Sequence, residues 1–298
     1  MRQRQYYSKR YVHILMVICA LLVSTSFPVG QHITTKLDPA IITLTRFIVA
    51  TTLLAPVISV KYGLHVSVKS LLRYSVVSAC LVFFFWCMFL ALRYTSQLNA
   101  SVLFTSVPAL SFVYAAVIVR ERLGLTKILA LFFGLIGALW VIFQGDMNRF
   151  LSLAWNKGDL IFFAGCLAMG LYTPLVKRLH RGEPMEVMTF WVLVTGTIWL
   201  LPVGVCELGT VDFYAVPVTI WFWIVYLSVF TTIITFYLTQ LSIPVIGPTR
   251  VMSYSYLYPG LVLVIDFLAG RGLPETKIFP GLLLIVISMV ILQTSRTR

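Results

Sequence analysis

The chain has 298 residues, of which 59% are hydrophobic and only 11% charged, with a formal net charge of +13. A soluble domain carries about twice that share of charges, so an ordinary soluble enzyme, a disordered chain and a nucleic-acid-binding domain are all excluded. One membrane span takes roughly 20 apolar residues, so about ten spans would use most of the chain and leave only short loops.

The first ten residues are basic, and an apolar run follows from Val12, the order found in a secretory signal. No small-residue cleavage site stands out after Val23 and apolar segments continue along the chain, so this run reads as a first transmembrane helix that is retained. Nine further runs follow: Pro39 to Val60, Leu71 to Leu92, Leu98 to Val119, Ile128 to Phe143, Asp159 to Leu179, Met185 to Cys206, Pro217 to Leu241, Ile246 to Ala269 and Ile278 to Leu292. A polar linker, Gln144 to Lys157, divides the set into two groups of five.

Loop charges orient the spans. With the amino terminus inside, 15 of the 23 Lys and Arg residues fall on the cytoplasmic side, 6 outside, and two, Arg46 and Arg250, within spans. This bias predicts cytoplasmic termini and an external linker, and it explains the basic charge as a topology signal. Five cysteines (Cys19, Cys80, Cys87, Cys166 and Cys206), with no CxxC spacing and all within apolar runs, read as packing residues.

The two halves share landmarks. Asp38-Pro39 opens the second run, and Glu183-Pro184 opens the seventh, 145 residues later. Thr126-Lys127 precedes the fifth run, and Thr276-Lys277 the tenth, 150 residues later. Pro108 in the fourth run matches Pro259 in the ninth, 151 residues later. An odd number of spans per repeat turns the second copy upside down relative to the first. Inverted repeats mark secondary transporters, whose substrate sites lie near the midplane at the repeat interface.

The segments Ala91-Leu-Arg-Tyr-Thr95, Asn99-Ala-Ser, Pro108, Arg120-Glu-Arg-Leu123 and Gly134-x-x-Gly137 resemble the first repeat of the EamA-type transporters of the drug/metabolite transporter superfamily. Tyr237-Leu-x-Gln240, Gly247-Pro-Thr-Arg250, Tyr256-Leu-Tyr-Pro259 and Gly272-Leu273 resemble the second. Ser24-x-x-Phe27-Pro28 and Arg46-Phe47 are similar to the family's first two helices. One departure stands out: the acid at Glu121 has no counterpart at Arg271-Gly272-Leu273. The resemblance implies an all-α membrane protein of ten transmembrane helices in two inverted five-helix repeats, residues 12–144 and 158–294, joined by an external linker at 145–157. It also implies a central cavity open to one side at a time and export or uptake of small metabolites.

Candidate cavity residues come from polar and aromatic positions at span centres. Ser228, Thr232, Thr235 and Thr239 share one face of the eighth run. That stripe is either a close-packing seam or the hydrogen-bonding wall of a cavity. Tyr254 and Tyr258 share a face of the ninth run, where a ring gives an apolar wall and one hydroxyl. Phe83 and Trp86 of the third run face either lipid or a ligand. Asn99 opens the fourth run and serves either substrate or helix packing. Ser24 and Phe27 precede Pro28, which removes an amide and frees a carbonyl about one turn back, near Ser24, and Tyr172 lies in the matching part of the sixth run. The expected substrate-binding set is therefore Ser24, Phe27, Trp86, Asn99, Tyr172, Thr232, Thr235, Tyr254 and Tyr258, with no catalytic residue, metal or cofactor.

Arg46, Arg250 and Asp266 are the ionisable residues within spans, all placed toward span ends, and Arg46 and Asp266 are candidates to pair. With no base or acid expected at the centre, the substrate reads as a small neutral or zwitterionic amphiphile, an amino acid or a nucleoside-like metabolite. HExxH, GxSxG and Walker motifs are absent, so an enzyme is not expected. A membrane-embedded lipid-handling protein, scramblase or enzyme, is the alternative. The expected setting is a bacterial inner membrane. The expected partners are a small-molecule substrate and the lipid bilayer, with no nucleic acid; a homodimer stays open.

Overall fold

A computed structural model describes residues 8–122, 124–146, 155–209, 215–272 and 275–294. The segment expected as an external linker falls mostly outside them, as do both chain ends. Among the described residues ten helices are long and apolar enough to cross a membrane. They are α1 (Lys9–Thr34), α2 (Pro39–Tyr62), α3 (Val68–Ala91), α4 (Gln97–Ile118), α5 (Leu125–Ile142), α6 (Lys157–Leu179), α7 (Met185–Leu208), α8 (Val218–Ile246), α9 (Pro248–Leu268) and α10 (Thr276–Thr294). The protein is a multi-pass, all-helical membrane protein. Large apolar side chains such as Val60, Val117 and Leu268 cover its outer surface, an arrangement suited to lipid contact.

Local chemistry sets the helix starts. Asp38 accepts the Ala40 amide at 2.8 Å, and Pro39 fills the first helical position of α2. Ser67 and Ser96 cap α3 and α4 in the same way. Asn156 and Asp159 form a reciprocal capping box at the start of α6. The boundary between α8 and α9 differs from the sequence reading. Ile246 ends α8, and Gly247, at φ +89°, breaks the chain before Pro248. Only glycine adopts that conformation readily.

The packing follows a pseudo-twofold exchange of α1–α5 with α6–α10. Helix α3 lies on α6, as α8 lies on α1; α4 lies on α6, as α9 lies on α1; α2 meets α7, and α5 meets α10. Five crossings per half make the relation antiparallel. The matched helices α4 and α9 loosen at the same level: α4 becomes 3₁₀ at Phe104–Ser106 before Pro108, and α9 at Ser253–Leu257 before Pro259. The two loosened segments touch across the pseudo-axis. Pro108 lacks an amide, so the Phe104 carbonyl accepts the Val107 amide of the 3₁₀ turn instead. Ser255 donates its hydroxyl to that carbonyl at 3.5 Å. Helices α5 and α10 pack backbone to backbone, since a Cβ added at Gly137 would sit 2.7 Å from the Gly281 carbonyl oxygen.

Candidate functional site: a cavity between the repeats

A cavity opens where the halves meet. Its walls come from α1, α2, α3 and α4 of the first repeat and from α6, α8 and α9 of the second. Seven of its lining residues are aromatic. Phe27 packs edge-on against Phe104, and Tyr258 lies 5.2 Å from the Phe104 ring centre. Phe84 and Phe85 of α3 and Phe236 of α8 add three more rings. Met16, Met88 and Met169 supply flexible apolar filling. Polar atoms come from Ser26, Tyr172, Thr231, Thr235 and Thr239. The cavity volume is about 40 Å³, too small for a metabolite, so the walls must part to admit one.

Arg46 is the one charged residue in this wall, and it is fully buried. Helix α8 explains how it is held there. Between Val229 and Ile234 that helix widens into a π turn, a feature that disturbs the regular backbone ladder. Arg46 Nη2 donates to the Thr231 carbonyl at 2.7 Å and to the Thr231 hydroxyl at 2.8 Å, and Nε donates to the Thr232 hydroxyl. Thr235 also donates to the Thr231 carbonyl, at 2.9 Å. The guanidinium rests 4.2 Å from the Phe85 ring centre, a cation–π contact. Nη1 is buried without a partner. Among the described residues no carboxylate pairs with Arg46. A base at the centre of a membrane helix costs roughly 2.5–3.5 kcal/mol on insertion scales; here two threonines and an aromatic face offset part of that cost.

This placement corrects the sequence reading in two respects. Arg46 lines the cavity, so the expectation of a centre without a base does not hold. Nor does Arg46 pair with Asp266, which instead accepts from the Gln97 amide and forms an ion pair with Arg271 at 3.0 Å.

Of the nine expected site residues, Phe27, Tyr172, Thr235 and Tyr258 line the cavity. Thr232 stands just behind the wall as the Nε partner of Arg46. The other four lie elsewhere. Ser24 is buried and returns its hydroxyl to the Ala20 carbonyl at 2.7 Å, while Ser26, two positions on, faces the cavity. Trp86 is 38% exposed and pairs with Phe83 on the outer face of α3. Asn99 sits in the first turn of α4, where its amide is capped by Ser96. Tyr254 bonds His13 toward the face that carries the ends of α1 and α10.

The sequence reading missed Arg46 as a wall residue, together with the rings at Phe84, Phe85, Phe104 and Phe236. The available signal was the Thr231-Thr232 pair, two adjacent hydroxyls able to receive a buried base. Tyr172 and Thr235 also carry structural bonds. Gln240 donates to the Tyr172 hydroxyl at 3.0 Å and accepts from Thr189 at 2.7 Å, which ties α6, α7 and α8 together.

Ten spans in two inverted halves around a shared cavity define a multi-pass membrane protein with the architecture of a transporter. The model of the EamA-like transporter family matches residues 10–143 and again residues 156–294, and the chain belongs to that family. It is 24% identical over 279 residues to the uncharacterized transporter YyaM of Bacillus subtilis, covering 92% of this chain and 91% of that one. An uncharacterized transporter of Archaeoglobus fulgidus is 26% identical over 276 residues, covering 88% and 90%. A solved crystal structure superposes with a TM-score of 0.72 at 18% identity, covering 95% of this chain and 96% of that one, a likeness of fold alone.

Proposed function

We propose that this protein is a secondary transporter that carries a small amphiphilic metabolite, such as an amino acid or a nucleoside-like compound, by alternating access. The observation that carries this reading is the position of the cavity, walled by helices of both repeats. Rocking one repeat against the other would open that cavity to each side in turn. The narrowness of the present cavity fits a closed stage of such a cycle. The loosened segments of α4 and α9 offer bending points next to it. The setting we propose is a bacterial inner membrane with both termini in the cytoplasm.

The test is uptake into liposomes containing the purified protein, comparing labelled soluble metabolites with labelled phospholipids. Saturable uptake of a soluble compound supports the reading. Lipid movement with no soluble uptake would replace it with a lipid-handling role.

A further inference from the structure

We infer that the cavity recognises a carboxylate on an apolar or aromatic body, and that Arg46 is the residue that binds it. The inference deepens the transporter reading and rests on it for its meaning.

The argument begins with an unfinished set of bonds. Arg46 is fully buried in the cavity wall. Its Nε and Nη2 are committed to Thr232 and Thr231, which fix the plane of the guanidinium. Phe85 covers its face. Nη1 alone has no acceptor. A buried donor without a partner is costly, and a buried charge without a counter-charge more so. The fold supplies hydroxyls and a carbonyl, which satisfy donors but leave the positive charge uncompensated.

Three acids toward the span ends are already engaged elsewhere. Asp266 is held by Gln97 and Arg271, Asp159 by Thr95 and Asn156, and Asp38 by Arg93. None of them reaches the cavity wall. A ligand that brings its own anion would meet the free Nη1 and supply the missing charge. One guanidinium, with no second base in the lining, suits a head of one negative charge. Around it stand Phe27, Phe84, Tyr258 and other rings, which suit an apolar or aromatic body. Nucleosides lack the anion and are the weaker half of the class proposed above.

The test uses purified full-length protein and matched probe pairs: phenylacetate against phenylacetamide, and indole-3-acetate against indole-3-acetamide. Thermal stabilisation is read as a function of concentration. The acids are expected to half-saturate at a concentration about tenfold or more below their amides, the scale of a hydrogen bond to a charged group. Arg46→Gln should bring the acids to the level of the amides. Tyr254→Phe, outside the cavity wall, should keep the preference.

Equal binding of acid and amide by the unmodified protein overturns the inference, and so does absence of stabilisation by either acid. A retained acid preference in Arg46→Gln overturns it as well. If that variant does not fold, the acid-to-amide comparison in the unmodified protein decides. Phenyl phosphate binding tenfold more tightly than phenylacetate would assign a doubly charged head and reject the carboxylate.

Liposome uptake of the same probes separates the two readings. Acids that bind while no compound crosses would defeat the transport reading and leave this one standing. Amides that cross with the same half-saturation as the acids would defeat this one and leave transport standing.

Discussion

The hydroxyl of Thr249 donates to Glu121 Oε2 at 3.1 Å and so fastens the loop after α4 to the start of α9, beside the turn between α8 and α9. That loop ends the fourth span of the first repeat, and that turn joins two spans of the second. Glu121 Oε1 also lies close to Gly247, within 3.2 Å of where a Cβ would stand. The family's acid at Glu121 thus works across the two halves, and its lack of a counterpart near Arg271 leaves this fastening on one copy only.

Burial pushes the Glu121 carboxyl above its usual range, against the opposing pull of Lys177 and the Thr249 bond. Its folded pKa exceeds its unfolded one, so the folded state holds the proton more tightly. The associated stability is full below the unfolded value, about 4.3, and is lost as pH rises through the folded value. Glu121→Gln should remove this dependence, so the melting temperature of the unmodified protein should fall relative to the variant as pH rises from about 4. Parallel melting curves across that range would count against it. Thr249→Val should cost about 1 kcal/mol by removing one hydrogen bond.

Thr235→Val should slow transport severalfold, whereas Ile234→Val should not. Valine keeps the shape of threonine but cannot donate to the Thr231 carbonyl, the same oxygen that receives Arg46 Nη2. A lost bond of about 1 kcal/mol corresponds to a severalfold change. The readout is the initial uptake rate at matched expression, and equal rates would remove Thr235 from the site.

Gly137→Ala should destabilise the protein by about 1–3 kcal/mol, the usual cost of overpacking. The added methyl would meet the Gly281 carbonyl oxygen at 2.7 Å, a backbone atom that cannot step aside cheaply. Gly260→Ala is the control, because nothing lies within 4 Å of its Cβ position. Melting temperatures in one detergent compare them, with no loss expected for the control.

Cysteine substitution tests the topology. In a background without the native cysteines, Ser152→Cys, outside the described residues, should react with an impermeant reagent in intact cells, whereas His65→Cys should be protected. The opposite pattern would invert the orientation.

How much of this was legible beforehand depended on the kind of signal. Span number, order and repeat were readable because they rest on length, hydropathy and turn residues, which act locally. The start of α9 was misplaced because an apolar residue, Ile246, hid a break that only the backbone of Gly247 reveals. The cavity wall was half readable. A span centre shows which residues are polar, but Ser24 and Ser26 are equally polar, and packing alone decides which one faces inward. Arg46 was misjudged because two turns from a helix end was taken as near the surface, whereas the π turn of α8 receives it in the interior.

That π turn belongs to one half only. At the corresponding level α3 is an unbroken α-helix, and α7, the counterpart of α2, carries no base at all. A carrier with two identical halves would have end states of equal free energy and would idle with its opening shared evenly between the two sides. Here one half holds a charge and a widened turn that the other lacks. In the proposed cycle the two end states are therefore free to differ in energy, and a difference would bias the empty carrier toward one compartment. Such a bias sets a direction for the resting molecule before any gradient is applied.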